Sequence, residues 1–403
     1  MNPLRLPRAT EPQVSVVMVT YGGADLALEA LGALVRNTDA VYEVIVVDNA
    51  SPDGSGERLR AEVEGATVVL NGTNVGFAAA SNRGAANAVG DHLCFLNPDA
   101  LVEEGWLAPL LTVLEGRPEV GAVVPRLLNL DGTVQETGSL VGRDGVTWAL
   151  GQGADPGDPA FRFPLTVDFG SAACMVLRRT TFHRVGGFDT AFQPAYVEDV
   201  DLGLMLAAAG FVTVVEPRSS VRHGRSAVTG AARAEALIRA NRNTLLDRWA
   251  GALSDRPWLS EPAYFPHRVA ATRDLACPDR IMVMADRVPA AHAELHASLL
   301  ELAAGRPGAR VTLVAGTGPP GAGLDLAEAG IEVVTGPDAG WFEGRRYHAS
   351  VVLATTRAFD DLLTATQPQA TIRWVDDLPA DPAALAALGV APPEHAPAGS
   401  RDA

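Results

Sequence analysis

The sequence predicts an α/β fold: a mostly parallel sheet covered by helices in the first two thirds, then a second, smaller Rossmann-like α/β unit. Three observations carry this. Val/Ile/Leu-rich runs alternate with amphipathic stretches from residue 14 onward, and the runs are near-continuously apolar, as strands buried on both faces must be. A proline-rich break then precedes a second alternation of the same kind.

The elements follow in chain order. Residues 14–20 (VSVVMVT) read as a buried strand and 24–36 as an amphipathic helix. Residues 42–48 (YEVIVVD) form the next strand, and the polar loop 49–56 (NASPDGSG) opens a short helix. A strand at 66–70, a helix at 77–89 and a strand at 92–96 complete the regular part. After Asn97 the rhythm loosens into a helix near 103–114, a strand near 120–124 and a long Gly/Asp/Pro-rich stretch at 129–164. A loop of that length inside a domain is usually functional, and an acceptor-side lid is one reading of it. Regular structure returns at 166–177, followed by a helix at 199–209, a strand at 211–215 and a long helix at 231–249.

Residues 254–278 contain four prolines and little periodicity, so they read as a linker. The second unit has strands at 281–285, 311–315, 331–334, 350–354 and 371–375. The organisation is therefore an N-terminal tail at 1–13, a first domain at 14–253, the linker at 254–278, an accessory domain at 279–380 and a tail at 381–403.

Composition removes several functions. The net charge of -16 would repel a phosphate backbone, so general nucleic-acid binding is not expected. The sequence contains no lysine, which excludes a Walker phosphate loop, a Schiff-base aldolase and a pyridoxal-phosphate enzyme. Cys94, Cys174 and Cys277 include no Cys-x-x-Cys pair, so neither a disulfide framework nor a thiolate zinc site is indicated. No apolar run approaches the roughly 18 residues of a membrane span, and the first twelve residues lack the apolar core of a signal peptide. A cytoplasmic protein is expected, and peripheral contact with the inner face of the membrane stays open.

Open parallel sheets bind ligands beyond the carboxyl ends of their strands. Thr20-Tyr21-Gly22, Asp48-Asn49 and Asn97-Pro98-Asp99 stand at three such ends. Tyr21 could stack on a base, Asp48 could accept hydrogen bonds from a base or ribose, and Asp99 could hold a hard divalent cation. The same residue types are also ordinary turn formers. Glu198-Asp199-Val200-Asp201 puts three carboxylates at a helix start, where they either aim a general base at a hydroxyl or merely suit the macrodipole. His223 follows as a metal or phosphate ligand, or as a surface histidine.

The order of these pieces is informative. The stretches VSVVMVTY, YEVIVVDNASPDGS, LNGTNVGFAAASNRGAANAVGDHLCFLNPDA, VGGFDTAFQPAYVEDVDLGLMLAAAG, VRHGRSA and ANRNTLL resemble the inverting family-2 glycosyltransferases with a GT-A fold, especially their rhamnosyltransferase-like branch. The resemblance implies that Tyr21, Asp48 and Asn74 contact a nucleotide, with Thr20, Asn49 and Asn97 beside them. It implies that Asp99 binds Mg²⁺ or Mn²⁺, with His223 near the diphosphate. Asp199 would be the base, and Glu198 and Asp201 would lie on the acceptor side. Departures are Asn97, where many relatives have aspartate, Met205, where an arginine is frequent, and Ala172-Ala173 in place of Gly-Ala. The second unit more faintly resembles the N-terminal half of a GT-B enzyme, through LAEAGIEVVTGPD and SVVLATTRAFDDLL. Its Gly316-Thr317-Gly318-Pro319-Pro320-Gly321 follows the second strand and has prolines where a dinucleotide fingerprint opens a helix, so it reads as a loop.

The expected activity is metal-dependent transfer of a sugar from a nucleotide-diphosphate donor to the hydroxyl of a glycan, glycolipid or small molecule, as in surface-polysaccharide synthesis. The alternatives are a sugar-nucleotide-binding protein without turnover and a sugar-nucleotide pyrophosphorylase. The latter calls for basic residues after the first strand, where this chain has Tyr21-Gly22-Gly23-Ala24-Asp25.

Overall fold

The structure is a computed structural model and describes residues 3–7, 9–224, 231–260, 272–273, 275, 277, 279–306, 309–319, 322–335, 349–353 and 371–375. Its contacts divide it into two compact units: Met1–Pro156 with Leu165–Ala276, and Gly157–Pro164 with Cys277–Ala403.

Unit 1 begins with β1 (Leu4–Arg5), β2 (Val14–Thr20), α1 (Ala24–Asn37), β3 (Tyr42–Asp48), α2 (Ser55–Glu62), β4 (Val63–Glu64), β5 (Thr67–Leu70), α3 (Phe77–Ala86) and β6 (His92–Leu96). Strands β5, β3, β2 and β6 lie side by side and parallel. The Val/Ile runs of β2 and β3 are buried on both faces, which is why they are continuous rather than alternating. Their register pairs Thr20 with Asp48, so both strands deliver a polar residue to the same edge. Beneath them α1 packs Ala27, Ala30, Leu31 and Leu34 into a core shared with Val16, Met18, Val44 and Val46. Each fully buried Leu or Val contributes about 1.5–3 kcal/mol. Close helix-to-sheet packing needs Gly84 of α3, where a Cβ would lie 2.3 Å from Val17 Cγ1.

The second half comprises β7 (Ala100–Val102), α4 (Leu107–Gly116), β8 (Val120–Leu128), β9 (Val134–Glu136), β10 (Ser139–Val141), β11 (Thr147–Ala149), β12 (Leu165–Val167), β13 (Cys174–Arg178), α5 (Arg179–Val185), α6 (Glu198–Ala208), β14 (Val212–His223) and α7 (Ala231–Leu253). It makes the sheet mixed, not the mostly parallel one expected, because β13, β12, β7 and β9 join it antiparallel. β13 inserts antiparallel between β6 and β8. β14 runs parallel to β8, is bulged between Glu216 and Ser220, and its end pairs with β7 so that His223 lies opposite Ala100. Twelve residues long, β14 thereby returns His223 to the Asn97–Asp99 turn.

Several boundaries differ from those read in the sequence. The helix expected from residue 103 starts at Leu107, because residues 100–102 are drawn into β7 and Gly105, at φ 71°, turns the chain first. The span 166–177 is broken into β12 and β13 by the loop 168–173. The 129–164 stretch holds three strands of three residues, too short for periodicity to announce. Pro257, Leu259 and Ser260, in the proline-rich span, bond to Arg143 and Asp144 of unit 1.

Unit 2 has β15 (Arg280–Arg287), α8 (Glu294–Ala304), β16 (Arg310–Thr317), α9 (Leu324–Glu328), β17 (Ile331–Thr335), β18 (Ala349–Leu353) and β19 (Thr371–Val375). All five strands are parallel in the order β17-β16-β15-β18-β19, the Rossmann-like arrangement expected. The tail at 381–403, much of 254–278, Pro320-Gly321 and most of the SVVLATTRAFDDLL segment lie outside the described residues. Among the described residues no helix is long and apolar enough to cross a membrane.

Candidate active site

The edge built by β2 and β3 is tied together before any ligand arrives. Thr20 Oγ1 donates to Asp48 Oδ1 at 3.3 Å, and Ser51 donates to Asp48 from its N–H at 3.1 Å and from its hydroxyl. Gly22 N–H donates to Ser51 Oγ at 2.7 Å, and Gly23 N–H to Asp53 Oδ2 at 3.0 Å. The hydroxyl of Ser55 and the N–H groups of Gly23 and Ser55 hold the Asp53 carboxyl below its usual range. Gly22 and Gly23 sit at φ 82° and 73°, a conformation that favours glycine. Tyr21, 45% exposed between these anchored residues, presents a free ring face at the strand ends. Asp48 is 5% exposed and holds three donors; an ionised carboxylate has about four acceptor sites, so one remains.

Asn49 is a clamp for the next loop. Its Nδ2 donates to Asn74 Oδ1 at 2.8 Å and Gly76 O at 3.2 Å, while its Oδ1 accepts from Asn71 Nδ2 at 2.9 Å and Val75 N–H at 3.0 Å. Asn49 therefore positions Asn74 rather than offering its own amide.

On the other side of β6, Asn97 and Asp99 meet His223. His223 Nε2 is 3.2 Å from Asp99 Oδ1 and 3.3 Å from Asn97 Nδ2, and the Asp99 and His223 side chains are each 11% exposed. Gln135 of β9 fixes the ring: its Oε1 lies 2.8 Å from His223 Nδ1, while its Nε2 donates to Asn129 Oδ1 at 3.1 Å and to His223 O at 3.0 Å. Gln135 Oε1 accepts from Nδ1–H, which leaves Nε2 as the ring atom turned to Asp99 Oδ1 and Asn97 Nδ2 and as the nitrogen available to ligate a cation. The pair fits a divalent cation whose remaining ligands come from phosphate oxygens and water. Among the described residues no three His, Cys, Asp or Glu side chains converge as a complete protein-only metal site.

Asp199 lies in the first turn of α6 behind a strained entry: Tyr196 and Val197 both have φ 76°, uncommon for residues with a Cβ. Asn241 of α7 holds this turn, donating Nδ2 to Ala195 O at 3.0 Å and Tyr196 O at 2.9 Å. Asp199 Oδ1 accepts from Val200 N–H at 2.9 Å and Oδ2 from Ala172 N–H at 3.3 Å. The loop 171–173 is a hub: Ser171 N–H donates to Glu136 Oε1 at 3.3 Å, Ala172 N–H to Asp199, and Ala173 O accepts Asn97 N–H at 2.9 Å. The Asn97–Asp99 turn and Asp199 thus share one three-residue loop.

Desolvation raises the Asp199 carboxyl above its ordinary range, against the pull of the Ala172 and Val200 amides. Burial, then the Asp199 charge, pushes Glu136 up to about 7, with Ser171, Ser139 and His223 acting the other way. Glu198, 6% exposed, is raised by burial and by Asp199, and its Oε2 has no hydrogen-bond partner among the described residues.

Asp201 is fully buried, its Oδ1 accepting from Trp249 Nε1 at 2.7 Å and its Oδ2 from Arg248 Nη1 at 3.1 Å. The structure thus sets Asp201 against α7, not on the acceptor side with Asp199. The cause is helical spacing: positions 199 and 201 are about 200° apart around α6, whereas Glu198 and Asp201 both turn inward. Glu136, Gln135 and Asn241 were not singled out in the sequence; the only available signal was ANRNTLL, which contains Asn241.

With this geometry in hand, similarity to known proteins is informative. Residues 15–185 match the family described as Glycosyl transferase family 2. The chain is 30% identical over 262 residues to the N-acetylglucosaminyl-diphospho-decaprenol L-rhamnosyltransferase of Mycobacterium tuberculosis, covering 59% of this chain and 85% of that protein. It is 32% identical over 293 residues to the O-antigen biosynthesis protein RfbC of Myxococcus xanthus, covering 67% of this chain but only 21% of that protein. Among solved structures, GalNAc-T7 with UDP, GalNAc and Mn²⁺ superposes with a TM-score of 0.50 at 17% identity, over 65% of this chain and 50% of that one. That likeness speaks to the fold alone.

Proposed function

Because the chain belongs to glycosyl transferase family 2 and has a GT-A fold, we propose that it transfers a sugar from a nucleotide-diphosphate donor to an acceptor hydroxyl with inversion. The observation that carries this reading is the 171–173 loop, which ties the Asp99–His223 pair's turn to the Asp199 carboxylate through adjacent backbone groups. A leaving-group site and a base on opposite flanks of one loop are what a single displacement needs.

In this reading Tyr21 stacks on the nucleotide base, and Asp48 and Asn74 take the nucleoside. Asp99 and His223 hold a divalent cation, Mg²⁺ or Mn²⁺, which supplies the positive charge that stabilises a departing diphosphate. Asp199 accepts the acceptor's hydroxyl proton as its oxygen bonds to the anomeric carbon. The bond from that carbon to the phosphate oxygen breaks, and its electron pair leaves with the diphosphate. Ala172 and Val200 amides fix the orientation of Asp199, and Asn241 holds the turn from which it projects.

The names of the two relatives support an acceptor drawn from surface-polysaccharide assembly, with a sugar carried on a lipid diphosphate. The test is a screen of UDP-, GDP- and dTDP-sugars for release of nucleoside diphosphate with Mn²⁺ or Mg²⁺. Release that depends on the cation, and on Asp199 when an acceptor is present, supports the reading; no release from any donor counts against it.

A further inference from the structure

Glu136 has no place in the chemistry just described, yet it is held beside the base. Ser171 N–H, donating to Glu136 Oε1, and Ala172 N–H, donating to Asp199 Oδ2, are consecutive along the chain, so one peptide unit separates the anchors of the two carboxyl groups. The carboxyl groups come from different elements, Glu136 from β9 and Asp199 from α6. Neither has an ion-pair partner among the described residues, although cationic side chains elsewhere in unit 1 are paired with Asp201, Asp168 and Glu216. Glu136 is partly exposed, whereas Glu198 is buried. Its neighbour Gln135 locks His223, so β9 itself spans the distance from the metal side to the base side.

Two desolvated carboxyl groups without a cation are costly unless something donates to them. The 171–173 loop gives each of them one amide, Ser139 adds a donor to Glu136 and the Val200 N–H adds one to Asp199, and of the roughly four acceptor sites of each carboxylate others remain. Neutral hydroxyl donors suit this arrangement. Asp199 needs one such donor, the hydroxyl it deprotonates. Adjacent hydroxyls on a pyranose ring stand about as far apart as two hydrogen-bonded oxygens, roughly 2.8 Å, so a diol can address two carboxyl groups anchored on consecutive amides at once.

We infer that Glu136 is a second acceptor-binding residue, which takes the hydroxyl vicinal to the one that Asp199 deprotonates and so selects a sugar diol over an isolated alcohol. This rests on the glycosyltransferase reading and on Asp199 as its base. Burial and the Asp199 charge keep Glu136 able to exist as a protonated carboxyl near neutrality, so it can either donate to or accept from that second hydroxyl.

The test uses the full chain, the donor found in the nucleotide-sugar screen, and octyl pyranosides of glucose, N-acetylglucosamine, galactose, mannose and rhamnose as acceptor probes. For the pyranoside used best, each hydroxyl next to the glycosylated one is removed in a monodeoxy derivative. Wild type should lose about tenfold or more in kcat/KM on one deoxy derivative, because a site built for a hydroxyl rejects the analogue lacking it. Glu136→Gln should raise the KM for the parent pyranoside about tenfold with kcat changed less than about threefold, and should shrink the parent-to-deoxy ratio to below about threefold. Wild type that uses both deoxy derivatives as well as the parent overturns the inference, whatever any variant does. So does Glu136→Gln with an unchanged KM and an unchanged deoxy ratio. Failure of the underlying reading is separate: there Asp199→Asn would keep full transfer to the parent pyranoside, while the Glu136 ratio could still be read.

Discussion

His223 Nε2 lies 3.2 Å from Asp99 Oδ1, with both side chains largely buried. Gln135 Oε1, 2.8 Å from His223 Nδ1, sets the ring so that Nε2 points at that carboxylate. Replacing Gln135 with Ala frees the ring without removing either ligand. Outer-shell partners of this kind are worth about 10- to 100-fold in metal affinity. Calorimetry of Mn²⁺ binding in the presence of UDP, GDP or dTDP should show that loss in Gln135→Ala, and a larger one in Asp99→Ala. Nucleotide binding equally strong with chelator, and unchanged by Asp99→Ala, would remove the metal from the mechanism.

Asp199→Asn keeps the shape of the side chain and one acceptor for the Ala172 and Val200 amides, but cannot take a proton. Transfer should fall by about 10²- to 10⁴-fold, the range for loss of a positioned base, while nucleotide affinity stays within about twofold. The pH profile gives a second readout. A base must be deprotonated to work, and the Asp199 carboxyl proposed for that role is raised above the ordinary aspartate range, chiefly by burial. The acid limb of kcat/KM should therefore lie above an ordinary aspartate's, with activity lost as pH falls through it.

How much of this was legible beforehand depended on whether the information was local. Asp99, Asp199 and His223 each sit in a short contiguous motif whose residue types alone suggest chemistry, and the alternating apolar runs announced the parallel half of the first sheet and the sheet of unit 2, but not the antiparallel strands. Glu136 and Gln135 lie in a three-residue strand inside an irregular stretch, and their meaning comes from partners 35 and 88 positions away. No periodicity can report that. Asn241 sits in the middle of a helix, where an asparagine is unremarkable until the carbonyls of the 195–196 turn are found against it. The split role of Glu198-Asp199-Val200-Asp201 was accessible in principle, because residues two apart on a helix cannot share a face.

Asp201 should behave as a stabilising residue. Asp201→Ala leaves the Trp249 N–H and part of the Arg248 guanidinium without their buried acceptor, a loss on the order of 2–4 kcal/mol. For a unit of this size that lowers Tm by about 5–10 °C. Differential scanning calorimetry measures it, beside steady-state kinetics at 20 °C. A raised acceptor KM with no loss of Tm would instead return Asp201 to the acceptor side.

Glu136 ties stability to pH. Its carboxyl titrates at about 7 in the folded chain against 4.5 ordinarily, so the folded state binds this proton more tightly. The stabilising contribution is complete below about 4.5 and is lost as pH rises through about 7. Urea midpoints for wild type should therefore decline between pH 5 and pH 8. Glu136→Gln has no such proton to lose and should show a shallower decline. Parallel curves for the two proteins would mean that Glu136 titrates in the ordinary range.

Every residue assigned to donor, metal or base lies in unit 1, so unit 1 alone should bind nucleotide, but where it is cut matters. Arg256 donates to Val141 O at 3.0 Å and pairs with the buried Asp168, whose own Oδ2 holds Val141 N–H at 2.8 Å. Leu259 is 3% exposed, and Ser260 N–H donates to Asp144 Oδ2 at 2.8 Å. A chain ending at residue 253 loses all of these and leaves Asp168 a buried carboxylate without its guanidinium, a loss of about 3 kcal/mol or more. A chain ending at 260 keeps them. Both lack the partners of Gly157–Pro164, which belongs to unit 2, so that defect is common to the pair and cancels in the comparison. The longer chain should therefore melt several degrees above the shorter one while both, below their melting points, bind UDP, GDP or dTDP with Mn²⁺ as the full chain does. Equal melting temperatures would mean that residues 254–260 are a linker after all. A well-folded longer chain, judged by circular dichroism, that binds no nucleotide would mean that the donor site needs residues beyond unit 1.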